Sequence, residues 1–213
     1  MAGLLFSKRC LFIWGLVAGS WLLPVAGASQ WARYSPQWTA ALHQQCNTAG
    51  SSRYLQLVEK QLIQQLNMLR RQPALFARTV LVPYLQAEKP DWRQNWYYKS
   101  LYDTLLTLKP LPMLQPDSLC WVSARCHAIS SGQAGYVGHG RLTDECQRLQ
   151  HYHAECCHYG YSQPLAILVS LLVDEDIPSL GHRQILLSPY TKVGVAFAPH
   201  TRYNHNTVFN LAR

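Results

Sequence analysis

One segment constrains the fold of this chain more than any other, and it runs from Leu165 to Val173. Its residues are apolar except Ser170, so a helix built from them is apolar on nearly every side. Pro164 precedes the segment, and proline suits the first turn of a helix, where its missing N–H is not needed. A helix without a polar face is stable when other elements cover it. The sequence therefore predicts a buried helix from Pro164 to about Val173.

The composition is that of a folded protein with one core and short appendages. The chain has 213 residues, of which 48% are hydrophobic and 14% are charged. This balance excludes disorder and collagen-like repeats. The formal net charge is +8, but no basic run is longer than two residues. A scattered positive charge does not favour nucleic acid as a partner.

The N-terminus has the pattern of a secretory signal peptide. Lys8 and Arg9 precede a mostly apolar stretch from Cys10, and the small residues Ala26-Gly27-Ala28 end it. The alternative is a membrane anchor, but Pro24 and several small residues interrupt the stretch, which is also marginal in length for a spanning helix. We expect residues 1–28 to be removed and the mature chain to be secreted or periplasmic, with no transmembrane segment left.

Export indicates that the cysteines form disulfides, because oxidising compartments favour these bonds. Six cysteines follow the signal peptide, an even number that allows up to three bridges: Cys46, Cys120, Cys126, Cys146, Cys156 and Cys157. Cys120 and Cys126 fall on one predicted helix, about 9 Å apart along its axis, so we expect both to be oxidised with different partners. The alternative is a zinc site in the Cys- and His-rich tract from Cys146 to His158, which lacks paired CxxC spacing.

Hydrophobic spacing divides the rest of the chain into helices followed by strands. Residues 29–50 are polar, without a clear period, and are predicted to form an N-terminal extension. The predicted elements are an amphipathic helix from about Tyr54 to Leu69, helices near 96–108 and from Asp117 or Ser118 to about Gly132, and strands over 192–197 and 207–212. This order predicts an α+β fold or an α-β-α sandwich.

Three carboxylates, residues 174–176, follow the buried helix at the end where its dipole is negative. This placement costs stability unless a positive group lies nearby. Pro178 stops the helix, and a turn through Gly181 can return His182 and Arg183 to the same point. The alternative is that the carboxylates are solvated at a surface turn.

Several short motifs, taken in order, resemble the CAP superfamily, also called SCP or pathogenesis-related-1-like domains, and most of all its bacterial secreted branch. The motifs are Leu66-Asn67-Met68-Leu69-Arg70 before Pro73, Pro110-Leu111-Pro112, Gly138-His139-Gly140, Glu155, Asp174-Glu175, Gly181-His182-Arg183 and Val193-Gly194-Val195. The resemblance implies one domain over 51–213 with the α-β-α sandwich of that family.

The resemblance also implies a central cleft that carries two histidines and two acidic residues. Matched by motif, these are His139, Glu155, Asp174 and His182, with Glu175 as the other candidate for the second acid. Glu155 is followed by Cys156-Cys157, where family members usually have Asn. Imidazole and carboxylate ligands suit Zn²⁺ or a similar divalent ion, so these four residues are the candidate metal ligands.

The expected function is that of a secreted binding or interaction module with a lipid, cell-wall or protein ligand. The alternative is a peptidase-like hydrolase that uses His139, Glu155, Asp174 and His182 for acid and base catalysis. A third possibility is a polar network that only holds the cleft together. No GxSxG motif or other recognisable nucleophile occurs, which favours a binding module over an enzyme.

Overall fold

Helices fill most of the chain before the last two strands in a computed structural model that describes residues 35–213. The helices are α1 (Ala40–Cys46), α2 (Leu57–Arg71), α3 (Pro73–Phe76), α4 (Val82–Glu88), α5 (Trp96–Thr107), α6 (Ser118–Ala134), α7 (Asp144–Arg148), α8 (Pro164–Val173) and α9 (Gly181–Leu186), with a π-helical turn over Ala77–Leu81 between α3 and α4. The strands are β1 (Gln115–Pro116), β2 (Ala154–Tyr159), β3 (Lys192–His200) and β4 (Asn204–Ala212). The predicted signal peptide lies outside the described residues.

The strands form one mixed sheet in the order β1-β3-β4-β2. β1 runs parallel to β3, whereas the other neighbours are antiparallel. Phe209 of β4 lies opposite Val195 on one side and Cys156 on the other. Strand β2 is therefore an edge strand, and it carries the predicted site residue Glu155.

Two hydrophobic clusters show that helices cover both faces of the sheet. On one face, Val195 and Phe209 belong to the large core that includes Leu62 of α2 and Leu168 of α8. On the other face, small residues of the sheet pack against Ala124 and Ala128 of α6, and they are Cys157, Ala196, Ala198 and Val208. The molecule is thus a single mixed α/β domain, as the sequence predicts at this level.

Close packing explains Gly194 in β3. A Cβ atom at this position would lie 2.0 Å from the backbone nitrogen of Trp121, so a larger residue would push α6 away from the sheet. Helix α6 itself begins where predicted, because the Asp117 side chain accepts a hydrogen bond from the backbone N–H of Cys120 (2.9 Å).

The predicted helix after Pro164 is confirmed with the same ends, and the two C-terminal strands are confirmed and slightly longer. Several elements were not predicted, among them the short β1, α7 and α9. The segment expected as an N-terminal extension contains α1, which Thr39 caps, and Trp38 and Cys46 are buried in the core. The helical region over 73–88 and strand β2 were not predicted either.

One disulfide joins Cys126 to Cys146. Cys120 and Cys126 are therefore not joined to each other, as predicted. The expectation that Cys120 is oxidised is wrong, because its thiol is free and fully buried. Burial raises the pKa of Cys120 to about 12, which keeps it a thiol. Among the described residues, the other free cysteines are Cys46, Cys156 and Cys157.

Candidate functional site

The end of α8 builds the first of two histidine–carboxylate pairs. Asp174 ends the helix in the left-handed conformation (φ 54°), which Asp tolerates better than most residues, and it is only 4% exposed. The following turn brings α9 back, so that the Asp174 carboxylate accepts hydrogen bonds from the backbone N–H of His182 (2.9 Å) and from its Nδ1 (2.7 Å). The predicted return of His182 to this point is present in the structure.

The neighbouring residues Glu175 and Arg183 serve other partners. Arg183 is buried and donates hydrogen bonds to the carbonyl oxygens of Leu172 and Val173, where the last carbonyls of α8 lack helical partners. Glu175 accepts hydrogen bonds from the Tyr98 hydroxyl (2.7 Å) and from the side-chain amide of Asn95, the N-cap residue of α5 (2.8 Å). The structure thus places Asp174, rather than Glu175, beside His182.

The second pair forms on β2, around Glu155. This carboxylate is 7% exposed and lies 3.0 Å from Nδ1 of His139, whose side chain is 59% exposed. Arg141, with a fully buried side chain, donates from Nη1 and Nη2 to the two carboxylate oxygens of Glu155. A bidentate pair of this kind is strong and orients both groups.

These contacts set the protonation of Glu155 and His139. Burial acts to raise the pKa of Glu155, but the hydrogen bonds from His139 and Arg141 outweigh it, so the pKa is lower than usual. The hydrogen bond to Glu155 raises the pKa of His139 and outweighs the opposing effect of burial. The site therefore favours an ionised Glu155 with a histidine N–H directed at it.

Sequence reasoning missed three residues that lie beside Glu155, namely Arg141, described above, His127 and Cys157. His127 is fully buried on α6, and its Nε2 lies 2.9 Å from the carbonyl oxygen of Gly138 and 4.0 Å from Oε1 of Glu155. Cys157 presents its sulfur 3.7 Å from Nδ1 of His139. His127 lies in no recognisable motif, and Cys157 was expected to form a disulfide.

The group formed by His127, Glu155 and Cys157 could hold a metal ion. One donor atom from each residue lies within 4.8 Å of the others, and all three residues are buried. Burial lowers the pKa of His127, so its imidazole is neutral, as a metal ligand must be. Burial raises the pKa of Cys157, so a metal would have to displace its proton.

The zinc site considered as the alternative to disulfides, in the tract from Cys146 to His158, is not assembled. Cys146 is bonded to Cys126, and Cys156 and Cys157 point to opposite faces of the sheet because side chains alternate along a strand.

Strand β2 separates the two histidine–carboxylate pairs. His139 contacts Cys157 on the α6 face, whereas the carbonyl oxygen of His182 lies 3.9 Å from the sulfur of Cys156 on the opposite face. Within residues 35–213, no hydrogen bond joins one pair to the other. The structure thus brings the four predicted residues to one edge strand, as two pairs on its two sides.

The Asp174–His182 pair borders a cavity of about 250 Å³ beside this strand. Its lining includes His158, whose pKa falls to about 4 because of burial and the nearby His182. Nδ1 of His158 is buried without a hydrogen-bond partner.

Comparisons of the chain with protein-family models, curated proteins and solved structures found no match. Within the described part of the chain, none of the helices combines the length and apolar character needed to cross a membrane.

Proposed function

We propose that the protein is an extracytoplasmic binding module of the CAP type that holds a divalent metal ion, Zn²⁺ foremost, beside Glu155. Two observations support the CAP type. Helices cover both faces of a mixed sheet, and the four motif residues form two histidine–carboxylate pairs.

The geometry around Glu155 carries the metal proposal. His127, Glu155 and Cys157 supply nitrogen, oxygen and sulfur donors within 4.8 Å of one another, and Nδ1 of His139 lies 3.0 Å from Glu155 and 3.7 Å from Cys157. Zn²⁺ is usually bound by four ligands, and imidazole, carboxylate and thiolate groups are the ones that it prefers. His139 is the exposed member, so an ion reaches the group from its side.

This assignment revises the ligand set that the CAP resemblance implies. His139 and Glu155 stay, whereas His127 and Cys157 take the places expected for Asp174 and His182, which lie on the other face of β2. The Asp174–His182 pair then keeps its own hydrogen bonds and is free of the metal.

Cobalt provides a sharp test, because a Co²⁺–thiolate bond gives a charge-transfer band in the near ultraviolet. We expect this band when Co²⁺ is added to the mature protein and expect Zn²⁺ to abolish it. Cys157→Ser should remove the band, whereas Cys156→Ser, the same change one residue away on the opposite face, should retain it. A band that Cys157→Ser leaves unchanged would contradict the proposal.

His182→Ala separates this site from the one that the resemblance implies. We call His127, His139, Glu155 and Cys157 the Glu155 group. If the ion binds there, calorimetry should show unchanged affinity for Zn²⁺ in His182→Ala and a loss of at least tenfold in His127→Gln. The reverse result would assign the metal to the Asp174–His182 pair instead.

One observation favours the alternative of a hydrolase. Asp174 orients His182 at an open cavity, which is the arrangement of a carboxylate-supported general base. However, no serine hydroxyl in residues 35–213 hydrogen-bonds to His182, and burial raises the pKa of the thiols of Cys156 and Cys157. Peptidase and esterase activity that His182→Ala abolishes would establish the hydrolase; its absence leaves the binding module.

A further inference from the structure

A groove along α8 has the character of a ligand site that is separate from the Glu155 group. It has a volume of about 560 Å³ and lies between α4, the start of α5, and α8. Three tyrosines from different segments line it, namely Tyr84, Tyr98 and Tyr161, and apolar side chains of α8 such as Val169 form its floor. Aromatic and apolar walls with a few polar groups are typical of small-molecule sites.

Tyr161 is the most informative residue of the groove. It is 55% exposed, although large aromatic side chains are usually buried. Its ring stacks on His158 with centroids 5.3 Å apart and an interplanar angle of 23°. The stacked imidazole fixes the tyrosine, so a ligand that stacks on the ring does not have to immobilise it first.

The charges of the groove indicate an uncharged ligand. Lys89 lies 3.9 Å from Glu175, and the same carboxylate accepts a hydrogen bond from Tyr98, so these charges already have partners. Glu88 is the one further charged residue of the lining, while Gln163 and the hydroxyls of Tyr84 and Tyr161 offer neutral donors and acceptors. Neither a strongly anionic nor a strongly cationic ligand finds a matching field here.

The groove also continues toward the Asp174–His182 pair. Ser170 and Glu175 line both the groove and the cavity of about 250 Å³ beside that pair. An elongated ligand can therefore lie along α8, with its polar groups on the rim and an apolar face on the floor.

We propose that this groove binds a short neutral saccharide chain, with one pyranose ring stacked on Tyr161. A pyranose presents a C–H face to an aromatic ring and hydroxyl groups at its edge, which fits the tyrosines, Gln163 and Ser170. The proposal goes beyond metal binding and does not depend on it, because the groove and the Glu155 group share no residue.

Calorimetry with chitotetraose and maltotetraose, both neutral saccharides, tests the proposal on the mature protein. We expect at least one to bind, and Tyr161→Ala to weaken that binding about tenfold. Tyr161→Trp keeps an aromatic face and should retain affinity within a few-fold. The matched control is Tyr203→Ala, a tyrosine that is 41% exposed and contacts Tyr159 and His200 away from the groove; it should change nothing.

Two outcomes would overturn the proposal. The first is that neither saccharide binds at millimolar concentration, and the second is that Tyr161→Ala leaves the affinity unchanged. In the first case, binding of a proline-rich peptide would assign the groove to that ligand instead, since tyrosine-lined grooves also suit polyproline helices. Saccharide binding that persists after treatment with EDTA would support this groove whatever the fate of the metal proposal.

Discussion

Glu155 and Asp174 are both buried carboxylates beside a histidine, but the chain stabilises their negative charges in different ways. Glu155 receives a buried guanidinium, that of Arg141, in addition to His139. Asp174 has His182 as its one ion-pair partner within residues 35–213, and a backbone N–H of the same residue supplies its other hydrogen bond. One charge is balanced by a guanidinium and the other by an imidazole and a backbone N–H.

This difference separates two ways of building a polar site. The Asp174–His182 pair is local, because a turn of a few residues joins its members. The Glu155 group is assembled from α6, the loop after it, and β2, so it exists only when these elements pack together. We expect the Glu155 group to be the more sensitive to the loss of one member.

The largest expected effect is that of Arg141→Leu. This change leaves the buried Glu155 carboxylate without its cation, and breaking a buried pair in this way costs about 3–5 kcal/mol. Urea unfolding followed by circular dichroism measures the loss. The control is Lys99→Ala, which breaks the exposed pair with Asp103 and should cost less than about 1 kcal/mol. Equal losses in the two variants would show that the buried Arg141–Glu155 pair stabilises the fold no more than an exposed pair does.

The second prediction concerns the loss of stability in acid that is caused by His158, which lines the cavity beside Asp174 and His182. The pKa of His158 is about 4 in the folded protein, below its ordinary value of 6.5, so the folded state binds fewer protons than the unfolded state. The contribution of His158 to the free energy of unfolding is therefore fully present above pH 6.5. About 3 kcal/mol of it is lost as the pH falls to 4.

His158→Phe keeps a ring for Tyr161 to stack on but cannot take up a proton. We expect the free energy of unfolding of this variant to fall less between pH 6.5 and pH 4 than that of the wild type. Parallel pH profiles of the two proteins would show that His158 does not contribute to acid sensitivity.

The smallest effect is expected for Asp174→Asn. The amide fits the left-handed backbone and its oxygen accepts one of the two hydrogen bonds from His182. The NH2 group that replaces the other oxygen is a donor and cannot accept the second bond, and the imidazole loses its charged partner. The expected loss of stability is about 1–2 kcal/mol. Glu175→Gln is the adjacent control at an exposed carboxylate and should cost less; thermal unfolding of the two variants ranks them, and the opposite ranking would contradict the assignment of Asp174 as the partner of His182.

Local patterns predicted much of the fold and one of the two pairs. The apolar run before Asp174 gave the ends of α8, and the turn through Gly181 gave the return of His182. Strand β2 was missed because its six residues, Ala154 to Tyr159, are rich in cysteine and histidine and lack a clear alternation of polar and apolar residues. Both of its faces are covered, so the alternation that marks a half-exposed strand is absent.

The sequence by itself determined the elements whose signals lie within a few residues: the buried helix, the capped start of α6, the C-terminal hairpin strands and the Asp174–His182 turn. Only the tertiary structure decided that Arg141 and His127 meet Glu155, that Cys126 pairs with Cys146 while Cys120 stays a thiol, and that β2 divides the four predicted site residues into two pairs. The physical reason is that backbone propensity and capping act over one or two turns, whereas buried charges and thiols find their partners through packing between elements distant in the chain.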